Sequence, residues 1–314
     1  MEIKMKICVI GAVGHTAQAI REMREHPSAE FVGIAPADSH ECIEVLSRHG
    51  IKVYEDYHAM LDECRPDLAI VSPVFGLTGK IIIECAQRGI DVFAEKPVAA
   101  TVEELERVER AVKDSGIRFS AMHFLRYTPS FYRAREMVKV GAIGEVRLLN
   151  AQKSYRFGTR PAWYRERDLY VGTIPWVGIH AIDWIYYFSG KAFKSVSALH
   201  VGSPEMTALC QFEMEDGVIS SANIDYLRPK EAPTHGDDRI RVAGTKGVIE
   251  VFQDRFVLIN EMGTQEFTDL TAPKLAYEFL MGNEDLSANE IFMITKTALL
   301  ARDSADKHEK LLID

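Results

Sequence analysis

The amino-acid sequence has no long hydrophobic run and no basic stripe. Although 47% of its residues are hydrophobic, no stretch approaches the roughly eighteen consecutive apolar residues that a membrane-spanning helix needs. The 37 basic and 46 acidic residues give a net charge of −9, and they are spread along the whole chain. An acidic surface without a basic patch repels a phosphate backbone. We therefore expect neither a membrane nor a nucleic-acid partner.

The sequence also lacks clustered cysteines. Its five cysteines are odd in number and show neither C-x-x-C nor metal-ligand spacing. The first residues enter a strand at once and show no apolar core followed by a small-residue cleavage site, which argues against a secretory signal. These features predict a cytoplasmic protein without a metal site, with its thiols in the core. The cysteines are Cys8, Cys42, Cys64, Cys85 and Cys210.

A length of 314 residues is too great for one ordinary core and predicts two domains. Over residues 1–120, short apolar runs alternate with amphipathic stretches, which predicts an α/β domain with a parallel, doubly wound sheet. Thr101 and Glu104 mark the start of one helix, because Thr101 can cap it. The predicted strands are 6–10, 31–34, 68–71, 92–94 and 118–121, and the predicted helices include 17–24, 81–88 and 102–113.

Residues 121–314 show a different pattern. After a helix near 130–140, strand-like segments separated by turns follow one another, which predicts an α+β domain with a largely antiparallel sheet. Ser287 and Glu290 have capping-box spacing and predict a last helix that ends near Ala301. The predicted strands are 146–153, 196–201, 208–214, 218–224, 240–242 and 248–252.

The segment 92–98, V-F-A-E-K-P-V, places a charged pair and a proline where a buried strand should end. Ligands bind at the carboxyl ends of parallel strands, because helices cover both sheet faces and leave that edge open. Glu95 and Lys96, followed by Pro97, are therefore candidate site residues. The alternative is a solvated charge pair beside a turn proline.

A G-x-x-G turn, from Gly11 to Gly14, ends the first strand and is followed by His15. Such a turn at a helix start leaves backbone N–H groups and the helix dipole available for a pyrophosphate. Val13 and Thr16 stand where the G-x-G-x-x-G pattern has its second and third glycines, so Gly14 must serve instead. A tight strand-to-helix turn without a ligand is the alternative.

The acidic residue that binds the ribose hydroxyls in dinucleotide-binding domains normally follows the second strand. Aligned by the strand end, its position falls at Pro36. Asp38, Ser39 or His40 could contact the ribose or a 2′-phosphate, but no arginine lies beside them. The sequence leaves NAD and NADP both open.

Farther along, the segment 175–184 carries a histidine and an aspartate three residues apart. In a helix over 178–188, His180 and Asp183 would lie on one face. A histidine near a helix start suits proton transfer at neutral pH. A buried, hydrogen-bonded structural pair is the alternative, and no further ligands with usable spacing indicate a metal.

Seven motifs occur in one order and cover nearly the whole chain. Together they resemble those of the Gfo/Idh/MocA family, named for glucose–fructose oxidoreductase, inositol dehydrogenase and rhizopine catabolism. They are the G-x-x-G-H turn, Ser72-Pro73, Glu95-Lys96-Pro97, Arg126-Tyr127-Thr128-Pro129, G-A-I-G-E-V at 141–146, the segment from Gly178 to Asp183, and Gly244-Thr245-Lys246-Gly247.

The resemblance implies a Rossmann domain over 1–120 that binds NAD or NADP. It further implies a C-terminal domain over 121–314 whose open sheet contacts the substrate and forms a homodimer or homotetramer. Lys96 would orient the substrate hydroxyl and lower its pKa, with Pro97 often following a cis bond, and His180 falls on the family's catalytic histidine. The candidate cofactor contacts are Gly11, Val13, Gly14, His15, Asp38, Ser72, Pro73, Glu95 and Lys96. The candidate substrate contacts are Arg126, Tyr155, Trp163, Trp176 and Asp183.

Two positions depart from the family pattern. Trp176 stands four residues before His180, where the family's sugar dehydrogenases commonly carry an aspartate, and Thr78 lies near the place of a usual histidine. Trp176 could stack on a sugar ring or on nicotinamide, or could exclude an ordinary polyol.

The implied reaction is reversible hydride transfer between nicotinamide and a secondary alcohol or carbonyl of a sugar, cyclitol or related small polyol. His180 would act as the base, and Lys96 would supply the positive charge against the developing alkoxide. Two alternatives remain open. One is a non-catalytic NAD(P)-binding sensor or scaffold, and the other is a family member with a different redox-assisted step.

Overall fold

The computed structural model describes residues 4–41, 43–283 and 285–313, so Cys42 lies outside the described residues. Within these ranges no helix is both long and apolar enough to cross a membrane. The strands are β1 (Met5–Ile10), β2 (Ala29–Ala35), β3 (Leu68–Val71), β4 (Asp91–Ala94), β5 (Phe119–Ala121), β6 (Val146–Tyr155), β7 (Phe193–Gly202), β8 (Glu205–Met214), β9 (Ile219–Asp225), β10 (Gly236–Gly244), β11 (Gly247–Val251), β12 (Phe256–Asn260), β13 (Gly263–Phe267) and β14 (Leu311–Leu312).

The helices are α1 (Thr16–Met23), α2 (Ile43–Ser47), α3 (Tyr57–Cys64), α4 (Thr78–Gln87), α5 (Val102–Ser115), α6 (Pro129–Lys139), α7 (Arg167–Tyr170), α8 (Ile179–Ser189), α9 (Leu275–Met281) and α10 (Ala288–Lys307). The chain forms two compact units. The first unit comprises residues 1–122, 166–171 and 274–295, and the second comprises 123–165, 172–273 and 296–314. The segments 166–171 and 274–295 thus pack with the first unit, although the sequence pattern placed them in the second domain.

The first unit contains a parallel five-stranded sheet with the order β2-β1-β3-β4-β5. The predicted doubly wound sheet is therefore confirmed. The strand order reverses between β1 and β3, where Ile10 is paired with Val71. Chain segments that leave such neighbouring strands diverge to opposite faces and open a crevice at the carboxyl edge. Gly11 and Ser72, which follow these two strands, stand at this edge.

The second unit contains a nine-stranded sheet with the order β13-β12-β11-β10-β6-β9-β8-β7-β14. Its neighbouring strands pair antiparallel, apart from the parallel pair β6 and β9, so the predicted largely antiparallel sheet is confirmed. Helix α8 packs against β6, β9 and β10. A Cβ atom at Gly178, just before α8, would lie 2.5 Å from Ile224 Cδ1 of β9, so a glycine lets the helix approach the sheet closely.

Local hydrogen bonds explain why several helices begin where the sequence predicts. Thr101 Oγ1 accepts the N–H of Glu104 at 3.1 Å at the start of α5. Ser287 Oγ accepts the N–H of Glu290 at 3.3 Å, and the Glu290 carboxylate accepts the Ser287 N–H at 2.9 Å, which completes a capping box for α10. Helix α10 runs beyond the predicted end near Ala301, because Ser304 Oγ accepts the Ala198 N–H of β7 and Ser304 and Ala305 are buried.

A buried ion pair fixes α8 inside the second unit. Arg126, in a short 3₁₀ turn, donates from Nε to Asp183 Oδ1 at 2.7 Å, and both side chains are fully buried. The guanidinium carbon also lies 4.8 Å from the centre of the Tyr187 ring. Burial alone would raise the pKa of Asp183, but Arg126 and then His123 hold that pKa below its usual range. The Asp183 carboxylate therefore depends on these partners.

We expect Arg126→Ala to lower the free energy of unfolding by about 3–5 kcal/mol, because it leaves a buried carboxylate without its cation. Urea denaturation at neutral pH measures this loss. Because pairing lowers the pKa of Asp183, the pair stabilises the fold above the ordinary carboxyl pKa, and this contribution disappears as the pH falls through the lowered value.

Lys139→Ala provides a matched control, because it removes an exposed pair in the same unit, with Lys139 Nζ 3.0 Å from Glu136 Oε1. The loss for that variant should stay below about 1 kcal/mol. A similarly small loss for Arg126→Ala would show that the fold does not depend on the buried pair.

Candidate active site

The glycine turn of the first unit is held against the residues that follow β3. Gly11 has φ of +78°, and a Cβ atom there would lie 2.5 Å from the Ser72 carbonyl oxygen and 2.7 Å from Pro73 Cα. The Val13 N–H donates to that same Ser72 oxygen at 2.9 Å, and the Ser72 hydroxyl donates to the Val13 carbonyl. The structure therefore brings Gly11, Val13, Ser72 and Pro73 together, and it explains why Gly11 must be glycine.

The Glu95 carboxylate anchors the other end of this turn. It is fully buried and accepts the His15 N–H at 2.6 Å and the Lys96 N–H at 3.0 Å. His15 Nδ1 lies 3.0 Å from the same carboxylate. Burial would raise the pKa of Glu95, but His15 and the Lys96 charge hold the pKa below its usual range. Glu95 is thus an ionised group at the start of α1, where the helix dipole favours negative charge.

Lys96 lies directly after this carboxylate. Its side chain is only 1% exposed. The Lys96–Pro97 peptide bond is cis, as the resemblance implies. Lys96 follows β4 at the carboxyl edge of the sheet, and its charge helps to lower the pKa of Glu95. A buried ammonium at such an edge can stabilise a developing negative charge.

The loop after β2 contains an acidic residue at the glycine turn that the sequence pattern did not single out. Asp38 is turned toward His40, whose Nδ1 lies 2.7 Å from Asp38 Oδ2. Glu41 instead reaches back to the glycine turn, where its carboxylate accepts the Ala12 N–H at 3.2 Å. Burial raises the pKa of Glu41 to about 7, against the lowering effect of its backbone hydrogen bonds. The sequence indicated Glu41 only as a further acidic residue in the loop after β2, three positions beyond Asp38.

These residues fit a dinucleotide. Gly14 has φ of +65°, a conformation that brings backbone N–H groups to the start of α1. The Ala12 N–H already donates to a carboxylate oxygen, so the turn presents a donor to a negatively charged group. Gly14 and the start of α1 would hold the pyrophosphate of NAD or NADP, because the N–H groups of Val13 and His15 already donate to Ser72 and Glu95.

In the second unit, His180 and Asp183 both lie on the face of α8 that meets His123. The His180 and His123 rings are 6.4 Å apart between centres, and His123 Nδ1 lies 3.5 Å from Asp183 Oδ2. The shared face agrees with the i, i+3 spacing. Asp183 pairs with Arg126, however, so both candidate substrate contacts are engaged inside the unit. No sequence pattern indicated His123 as their neighbour.

Helix α8 begins differently from the predicted helix over 178–188. Residues Ile174–Gly178 form a π-helical turn, and the α-helix starts at Ile179. Trp176 lies in the π turn and is largely buried. Such turns widen the helix locally and are frequent at functional sites. The chain between Trp176 and His180 is therefore not a regular α-helical turn.

The remaining substrate candidates lie on and after β6. Lys153 Nζ is 2.6 Å from Asp238 Oδ1 in a buried pair and 4.6 Å from the centre of the Tyr155 ring. Burial lowers the pKa of Lys153 and raises that of Asp238, each opposed by its partner. Trp163 packs against Tyr164 with ring centres 4.4 Å apart. These contacts give the second unit a region rich in aromatic rings and fixed charge.

The buried thiols among the described residues are not activated as nucleophiles. Cys8, Cys85 and Cys210 are buried, as the sequence predicts, and Cys64 is half-buried. Burial raises the pKa of Cys85 and Cys210 to about 12, which leaves them protonated at neutral pH.

Known proteins share both units. The Gfo/Idh/MocA profile, described as an oxidoreductase family with an NAD-binding Rossmann fold, matches residues 5–123, and the Gfo/Idh/MocA C-terminal domain matches residues 131–250. A solved structure described as an oxidoreductase from Thermotoga maritima is 41% identical, covers 98% of this chain and 100% of its own, and has a TM-score of 0.93.

More distant relatives carry named activities. An inositol 2-dehydrogenase from Rubrobacter xylanophilus is 26% identical over 239 residues, which are 72% of this chain and 64% of that protein. The NADH complex of levoglucosan dehydrogenase is 17% identical, covers 99% of each chain and has a TM-score of 0.86, a likeness of fold. Because both profiles match in order and the T. maritima structure matches along the whole chain, the chain belongs to the Gfo/Idh/MocA family of NAD(P)-dependent oxidoreductases.

Proposed function

We propose that the chain is a dehydrogenase acting on a secondary alcohol or carbonyl of a sugar, cyclitol or related small polyol, with Lys96 and His180 as its catalytic residues. The observation that carries the proposal is the buried Lys96 directly after the carboxylate that anchors the dinucleotide turn. The inositol 2-dehydrogenase of R. xylanophilus supports the substrate class, because its named substrate is a cyclitol.

A dinucleotide, when bound, would accept or donate the hydride, and the residues of this chain would handle the charge and the proton. Lys96 holds a positive charge near the substrate oxygen, which favours the alkoxide that forms as the alcohol is oxidised. His180 takes the hydroxyl proton, because a neutral imidazole is the usual base near pH 7. In the reverse direction the protonated His180 returns that proton.

Aromatic rings of the second unit provide a surface for a sugar ring. Arg160 lies over Tyr164 at 5.2 Å and over Phe157 and Tyr226 at 5.9 Å. Aromatic faces pack against the C–H faces of sugars, and the guanidinium can donate to ring hydroxyls. We propose that Trp163 and Tyr155 belong to the same binding surface. Arg126 and Asp183 are proposed to position α8, since they pair with each other.

A non-catalytic NAD(P) sensor is the second candidate, and Trp176 favours it. Trp176 stands where the family's sugar dehydrogenases commonly carry an aspartate, which would belong to the proton relay. A sensor would bind the dinucleotide but would not depend on Lys96 or His180 for turnover, so substitutions at these residues separate the two functions. We still propose a cytoplasmic location, because the scattered cysteines of the sequence suit a reducing compartment.

The open face of the second sheet is the proposed oligomer interface. The side chain of Leu199 on β7 is 58% exposed and faces its pairing partner Leu209 on β8, which is also exposed. Ile219 on β9 is exposed as well. Apolar side chains grouped on one sheet face are typical of a surface that a partner covers. We propose that two or four copies associate through this face.

Lys96→Ala should lower turnover by about a hundredfold or more, because one preorganised charge is lost from the developing oxyanion. Binding of the dinucleotide should stay nearly unchanged in calorimetry. Lys96→Arg should not restore full turnover, because the guanidinium is broader and always protonated. Lys80→Ala, on the exposed side of α4, is the control and should retain activity. Near-normal turnover in Lys96→Ala would remove this lysine from the mechanism.

His180→Asn should lower turnover by about 10²–10⁴-fold, the range for loss of a general base. Trp176→Asp places a carboxylate four residues before His180, and a nearby negative charge favours the protonated imidazole. The limb of the pH–rate profile governed by His180 should therefore move to higher pH in Trp176→Asp. If that limb does not move and His180→Asn remains fully active, the proton is handled by another group.

Leu199→Lys combined with Leu209→Lys should convert the protein to monomers, because charges on an apolar interface cannot be buried unpaired. Light scattering coupled to size exclusion measures the mass against the 35.3 kDa chain. Val140→Lys is the control, since Val140 is exposed at the end of α6 in the same unit. An unchanged mass in the double variant would place the interface elsewhere.

A further inference from the structure

Two arginines of the second unit have no counter-ion. Arg156 directly follows β6, and Arg160 lies four residues later. Each guanidinium donates from Nη2 to a main-chain carbonyl, Arg156 to that of Ala232 and Arg160 to that of Arg156 at 3.3 Å. Each Nε atom is buried without an acceptor, and within the described ranges no carboxylate forms an ion pair with either arginine. Both positive charges are therefore uncompensated.

The charges around His235 show that this region is cationic. Burial lowers the pKa of His235, and Arg160, Arg156 and Lys153 lower it further, while Asp238 opposes them. Asp238 is itself paired with Lys153, whose Nζ lies 2.6 Å from its Oδ1. The two arginines thus give an excess of positive charge here, although the whole chain carries a net charge of −9.

The arginines lie at the end of the sheet from which α8 starts. A Cβ atom at Gly178, just before α8, would lie 2.5 Å from Ile224 Cδ1 near the end of β9. Tyr226 follows Ile224 by two residues, which is about 7 Å along an extended chain. The Arg160 guanidinium carbon is 5.9 Å from the centre of the Tyr226 ring. His180, in the first turn of α8, begins at this same end of the sheet.

The surroundings of Arg160 suit a ligand that accepts hydrogen bonds. Its guanidinium carbon lies 5.2 Å from the centre of the Tyr164 ring and 5.9 Å from that of Phe157. A guanidinium stacked on aromatic rings donates in its own plane, where a carboxylate fits. His235 is exposed, so water and small solutes reach this region. A neutral hydroxyl could accept a hydrogen bond here, but it would leave both charges uncompensated.

We propose that the substrate is a sugar acid whose carboxylate binds Arg156 and Arg160. The inference rests on the proposed dehydrogenase function and narrows its substrate class. A carboxylate offers two acceptor oxygens and the negative charge that the two arginines lack. The carboxylate is a binding group and is not itself oxidised. The hydride still leaves a carbinol carbon of the same molecule, and the hydroxyl proton still goes to His180.

Paired neutral and acidic sugars test the proposal. We would measure kcat/KM, with NAD and with NADP, for glucose against glucuronate and for galactose against galacturonate. Glucose 6-phosphate tests a phosphate in place of the carboxylate. The better acid should exceed its neutral partner by about 10–100-fold, on the scale of hydrogen bonds between charged groups. The difference should lie mainly in KM, because the carboxylate is bound equally before and during hydride transfer.

Arg156→Met and Arg160→Met keep an unbranched side chain but remove the charge, and each should lower the acid-to-neutral ratio of kcat/KM by about tenfold. Arg160→Lys keeps the charge without the planar fork and should retain part of the preference. Arg241→Met is the matched control and should leave the ratio unchanged, because Arg241 is an exposed arginine of β10 with Glu250 as its partner at 3.7 Å. Calorimetry with NADH verifies that each variant is folded.

Equal kcat/KM for the acids and their neutral partners would overturn the proposal while leaving the dehydrogenase function intact, as would a preference that survives both methionine variants. Preference for glucose 6-phosphate over both acids would overturn it and assign a phosphate to the two arginines. If the protein turns over none of these sugars, the proposed function fails for this panel. A thermal shift by an acid in the presence of NADH that is lost in Arg160→Met would still support the binding site, and no shift would overturn it.

Discussion

The burial of the Glu95 carboxylate is the constraint on which the dinucleotide edge depends. A carboxylate removed from water must be matched by donors and positive charge, and here they come from His15 at the start of α1 and from Lys96. The N–H of Glu95 in turn donates to Val71 of β3 at 2.7 Å. The glycine turn, the lysine-bearing loop and the centre of the sheet are therefore fixed together, and none of them can shift alone.

The sequence predicted the architecture because its signals were local and repeated. The alternation of apolar runs and amphipathic stretches predicted the parallel sheet. The capping patterns at Thr101 and Ser287 predicted helix starts that the structure contains. The glycine turn and the charged pair after β4 were visible for the same reason. Each is a short motif at the end of a strand, where a parallel sheet binds ligands.

The parts that could not be predicted depend on side chains that reach across the fold. Glu41 faces the glycine turn only because the loop after β2 folds back, and no local pattern distinguishes it from Asp38. The spacing predicted that Asp183 shares a helix face with His180. The strongest partner of Asp183, however, is Arg126, more than fifty residues earlier. The π turn before α8 likewise packs against β9, a contact that periodicity does not encode.

The path of the chain has a consequence for how the protein is made. The first unit is completed by residues 166–171 and 274–295, so its amino-terminal part leaves the ribosome long before its last segment. Domains that are continuous in sequence can fold as they emerge. Here α9, which packs on α1, is synthesised only after most of the polypeptide has been made. A premature stop in the second unit would therefore also deprive the first unit of α9, whose Ala276 N–H donates to Glu22 of α1 at 3.1 Å.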